Sequence, residues 1–239
     1  MIEGKGGIYM LTAYLVGFEA HLAPAFVIFF SAVLQSITGF GLVIVAAPLL
    51  MIFYDPKLTV PIMLLLACCV NFCQGLFALR TANLRLVFWL YLGVLCGQPL
   101  GFWAFDHASS AMLKVFISAI VLFSLGTMQA FHLRIRERPR NSWITGIFSG
   151  FTSITAGMGG PPFLIYLAHS RMTVEVMRAT CFVFFFLCNV TSLTSYELGG
   201  LPIAPALGEC IYLLPALVLG ILIGQGSGRW SNCVNQEAF

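Results

Sequence analysis

The chain has 239 residues, 59% of them hydrophobic and 9% charged, with a net charge of +3 and a mean hydropathy of +0.95. Soluble domains carry about a quarter charged residues, so a soluble fold of this composition would leave large apolar patches in water. A bilayer resolves the imbalance, and so small a net charge leaves no electrostatic footprint for nucleic acid.

A helix that crosses a membrane needs about 20 mostly apolar residues, whereas a membrane barrel alternates apolar and polar residues over about ten. Runs such as 182–190 and 213–223 are continuously apolar, which predicts an all-α integral membrane protein. In chain order, Lys5 and the apolar stretch 8–18 form a lead-in without a small-residue cleavage site, interrupted by Glu19 and His21. It reads as uncleaved. Seven apolar segments follow, over about 23–53, 58–79, 84–105, 111–131, 143–168, 174–196 and 206–226.

The polar interval 132–141 reads HLRIRERPRN, with four arginines. Lys and Arg accumulate in cytoplasmic loops, so this loop is expected inside, and alternation puts Lys5 and the Arg80–Arg85 turn on the same side. It also divides the chain into an N-terminal part, 1–131, with the lead-in and four spans, and a C-terminal part, 142–239, with three. The two parts resemble each other. Thr38-Gly39-Phe40-Gly41 and Ala156-Gly157-Met158-Gly159 are 118 residues apart, and the same offset carries Asn71 onto Asn189. Gly97 and Gly101 match Gly220 and Gly224 after a small shift. Internal duplication is a common plan among secondary transporters. The expectation is two repeats of four helices with the eighth helix missing from this chain; a seven-span protein is the alternative.

Both signatures put glycines and prolines inside an apolar segment: Gly39 and Gly41 ahead of Pro48, and Gly157, Gly159, Gly160, Pro161 and Pro162. Two consecutive prolines remove two backbone donors, so a continuous helix through 159–162 is not expected. Broken backbone at membrane depth survives only where protein or a water-filled cavity supplies partners. A helix that restarts there offers free N–H groups and the positive end of its dipole to an anion. Close helix packing through glycine is the competing reading. Asn71 and Asn189 lie in apolar runs, either as hydrogen-bonding links between helices or as donors beside the breaks. Arg178 is the cationic candidate, as an oxyanion fork or as a side chain snorkelling to the interface. Gln35, Thr38 and Thr155 flank the breaks. Glu209 is a carboxylate for proton coupling or a surface residue.

Enzymatic apparatus is not legible: there is no HExxH, GxSxG or P-loop, and no carboxylate pair on one helix face. His21, His107, His132 and His169 are too scattered for a metal site, and nothing calls for a cofactor. Most of the eight cysteines fall in apolar runs without a CxxC spacing and read as small hydrophobes.

The TGFG signature with its proline, the SGFTSITAGMGGPP stretch, MRAT through Asn189, and LLPALVLGILIG together resemble the sulfite exporter TauE/SafE family over about 25–228. The resemblance implies two four-helix repeats and movement of sulfite, a sulfonate or another organosulfur or carboxylate anion. One departure is Leu42, which stands where the second half has Gly160. The expected protein is a secondary transporter of a small anion in a bacterial-type inner or plasma membrane. Its partners are the lipid bilayer, the anion, a coupling proton or cation, and in one arrangement further copies of itself as a homo-oligomer. A membrane-embedded assembly protein without transport is the rival reading.

Overall fold

The computed structural model describes residues 21–38, 42–130, 139–160, 162–163, 166 and 172–236. These form eight helices: α1 (Leu22–Thr38), α2 (Leu42–Leu50), α3 (Pro56–Ala78), α4 (Leu84–His107), α5 (Ser110–Ala130), α6 (Pro139–Ala156), α7 (Val174–Leu198) and α8 (Ala204–Gln236). Among the described residues there is no strand. The lead-in, most of the basic interval, Gly39, Gly41 and Pro161 lie outside the described residues.

Helices start where the side chains can cap them. The Asp55 carboxylate accepts from the Lys57 N–H at 2.9 Å, with Pro56 opening α3, which suits a proline's missing donor. Asn83 caps α4 and Thr173 caps α7 in the same way. α3, α4, α7 and the 204–225 part of α8 are each long and apolar enough to cross a membrane, while 22–36 and 110–123 are shorter apolar helices. The protein is a multi-pass membrane protein. Large side chains such as Phe26, Phe77, Phe88 and Trp103 face outward, whereas Ser31, Gln35, Asn71, Gln98, Ser153, Asn189 and Ser192 are buried. Lipid is as apolar as leucine, so an outward phenylalanine costs nothing there and the polar groups must find one another inside.

Glycine brings the helices together. α4 lies on α6 with backbone against backbone: a methyl group on Gly97 would meet the Ile147 carbonyl oxygen at 2.0 Å, and one on Gly146 the Leu90 oxygen at 2.0 Å. α8 lies on α1 through Gly220, against Phe29, and Gly224, against Ser36. α3 packs along α7 at the centre. Such close approach gains dispersion contacts, which replace the hydrophobic effect in lipid.

Two of the seven apolar segments are interrupted. The first ends as a helix at Thr38 and is helical again from Leu42. The second leaves helix after Ala156, passes Gly157 with φ +69°, and is helical again at Gly160, Pro162, Phe163 and Tyr166. The second break therefore sits at residues 157–159, a few residues ahead of the prolines; Pro162 belongs to the first turn of the resumed helix, where its missing N–H costs nothing. Gly157 adopts the left-handed conformation that other residues avoid, and the Met158 N–H turns back to the Thr152 carbonyl at 3.3 Å.

Candidate functional site

A cavity of about 40 Å³ is lined by Gln35, Asn71, Gly157, Gly159, Gly160 and Asn189, with apolar walls from Val43, Ile44, Ala67, Met158 and Phe185. A water needs about 10–15 Å³ of such space, so the cavity suits an ion of a few heavy atoms. Among the described residues that line it there is no carboxylate, lysine or arginine.

Its polar groups are held from different elements. Gln35, in the last turns of α1, accepts the Leu42 N–H on Oε1 at 3.1 Å and thereby caps the start of α2. Its Nε2 donates to Asn71 Oδ1 on α3 at 3.4 Å. This fixes the Gln35 amide and occupies the Asn71 oxygen. Asn189, on α7, has a buried Nδ2 without a hydrogen-bond partner. A buried donor left unpaired is uncommon and costs about 1–3 kcal/mol. The first turn of α2 lines this cavity through Val43 and Ile44, and Gly160, where helix is resumed, lines it as well; the first turn of a helix carries the positive end of its dipole.

Arg178 lies elsewhere. Its Nη2 donates to the Ser36 carbonyl at 2.8 Å, near the C-terminal end of α1, where carbonyls lack helical partners and a positive charge is favourable. Tyr196, also on α7, donates its hydroxyl to the Ile154 carbonyl near the end of α6. One helix thus caps both interrupted helices. The Thr155 hydroxyl turns back to the Phe151 carbonyl at 2.6 Å, so it adds no free donor. Glu209 is remote from the cavity, at the other end of α1. Two residues escaped the sequence reading. Gln98 brings its amide nitrogen within 3.1 Å of Cys188 O, Thr191 Oγ1 and Ser192 Oγ, tying α4 to α7; a lone amide in the apolar LCGQPLG run was the signal. Tyr196 carried none, since a tyrosine near the end of a span reads equally well as an interfacial residue.

The family described as sulfite exporter TauE/SafE matches residues 24–232. The chain belongs to that family. A similar protein is the "Probable sulfite/organosulfonate exporter TauE" of Cupriavidus necator, 26% identical over 199 residues that cover 80% of this chain and 77% of the relative. No solved structure matches the chain. Membership of this family makes the protein a membrane transporter.

Proposed function

We propose that the protein exports a small sulfur oxyanion, sulfite or a small sulfonate, and that the cavity between the two breaks is its binding site. The observation that carries this reading is the unpartnered Asn189 Nδ2 in a cavity that two helix starts line. Neutral donors suffice for an anion here, because each N–H is already desolvated and oriented. No carboxylate among the described lining residues opposes an anion. The relative's name supports a sulfur oxyanion in particular.

The two halves, 1–131 and 142–239, act as repeats. The 118-residue offset relates Asn71 to Asn189, Ala67 to Phe185, and the helix starts Leu42 and Gly160, and all six line the cavity or adjoin it. The glycine contacts are reciprocal as well: Gly97 of the first half grips α6, and Gly220 of the second grips α1. In transport, one half rocks against the other about the shared site.

The test is sulfite flux by the full chain in proteoliposomes. Replacing both Asn71 and Asn189 by Leu should lower it by at least about tenfold, since each donor to an anion contributes about 1.5–3 kcal/mol. Undiminished flux in a folded double variant would place the site elsewhere.

A further inference from the structure

One group of titratable side chains among the described residues lies away from the cavity. Glu209 Oε2, on α8, is 2.8 Å from His21 Nε2 and accepts the Tyr54 hydroxyl at 2.9 Å. His21 belongs to the first turn of α1, since its carbonyl accepts the Ala25 N–H at 2.8 Å. Tyr54 is tied to the end of α2, its N–H donating to the Leu50 carbonyl at 2.9 Å. One carboxylate oxygen therefore holds the far ends of both arms of the first broken segment, whose near ends, Gln35 and Leu42, meet at the cavity. Along α1 the separation is about 20 Å, at about 1.5 Å per residue.

The surroundings favour proton exchange at this oxygen. The His21 and Glu209 side chains are 18% and 27% exposed, so neither is sealed inside the protein. Tyr212, on α8, stacks on the His21 ring at 4.7 Å. Cys210, next to Glu209 in α8, turns its thiol to the Ile62 carbonyl of α3 at 3.9 Å. Burial and the Glu209 carboxylate push the Tyr54 phenol up, so Tyr54 remains a donor. The charged groups next to it in sequence are engaged elsewhere: Asp55 accepts from Lys57 N and Ser110 Oγ, and Lys57 Nζ donates to the Asp106 carbonyl.

We propose that His21, Tyr54 and Glu209 form a proton-binding site that couples anion movement to protons: ionised Glu209 holds both arms of the broken segment, and a proton from the aqueous side releases them. The sign follows from the donors. Two groups donate to an oxygen that accepts best as a carboxylate, so a proton on the His21 ring strengthens the hold, and a proton on the carboxylate itself releases it. The coupling part rests on the transport reading above; the proton site itself does not.

Two measurements on the full chain separate these. In lipid nanodiscs, amide hydrogen exchange corrected for intrinsic rates should show protection in 22–25 and 51–54 falling about tenfold as the pH is lowered through the carboxyl range, from about pH 6 to about pH 3. Glu209→Gln should abolish this dependence; protection that ignores pH in the wild type overturns the site. In proteoliposomes, a gradient of methanesulfonate, an anion without a titratable proton, should drive proton movement read by an entrapped pH dye. The ratio of protons to anions should fall about tenfold in Glu209→Gln, a size of effect usual for coupled sites, with a smaller fall in Tyr54→Phe. A ratio that stays at the wild-type value overturns the coupling. Wild-type protein that moves no anion yet keeps the pH-dependent protection contradicts the transport reading and supports the proton site.

Discussion

In the site proposed above, Asn189 would serve the ligand at the expense of the fold. Its Nδ2 is buried without a partner, a defect of about 1–3 kcal/mol in the empty protein. Asn189→Leu should therefore raise thermal stability by about 1 kcal/mol while weakening anion binding by about 10–100-fold, the contribution of one donor to a charged acceptor. Thermal unfolding in detergent, paired with calorimetric titration of sulfite, checks both signs. A plain helix-to-helix link would give the opposite sign for stability. Arg178 and Tyr196 are the contrasting case, since neither lines the cavity and each covers a carbonyl at the end of a broken helix. Arg178→Met or Tyr196→Phe should each destabilise by about 1–3 kcal/mol by orphaning that carbonyl. Each should also loosen anion binding without contact to the anion, measurable in the same two assays.

At the scale of elements, the pairing of α4 with α6 and of α1 with α8 depends on glycine rather than on large side chains. Gly97→Val forces a side chain into the Ile147 carbonyl and should cost at least about 3 kcal/mol, more than ordinary overpacking because backbone must yield. Gly126→Val on α5 meets nothing within 4 Å and should fold with wild-type yield. Size-exclusion profiles of the two variants from membranes give the comparison. The interruptions were readable from composition, because glycines and prolines within an apolar run argue against a continuous helix. The exact register was not: α6 ends by a left-handed turn at Gly157, so helix returns at Gly160, ahead of both prolines. Propensity marks the region of a break, whereas the hydrogen bonds of the preceding helix choose its residue.

For the whole molecule, the size of the cavity limits what the described state can hold. At about 40 Å³, several times the 10–15 Å³ a water requires, it has room for a compact anion and none for a bulky one, so the proposed transport of larger anions requires a wider state. In a panel of competitors against sulfite flux, inhibition should fall as the organic part of a sulfonate grows, by about fivefold or more per step once it exceeds the walls. Equal inhibition by large and small sulfonates would mean that a wider state does the selecting.

The sequence by itself determined the solvent, the secondary structure and the family, because these follow from sums over many residues: apolar content, run length, and the spacing of glycine and proline. It also marked Asn71, Asn189 and the 157–160 stretch, since polar or flexible residues inside an apolar run stand out singly. Only the tertiary structure decided that Gln35 caps α2, that Arg178 caps α1 rather than lining the cavity, and that Glu209 joins His21 and Tyr54 across three elements. Those are pairings between residues 7 to 188 positions apart. No local pattern encodes them, because which polar group meets which is settled by how the helices cross once glycine has let their backbones touch.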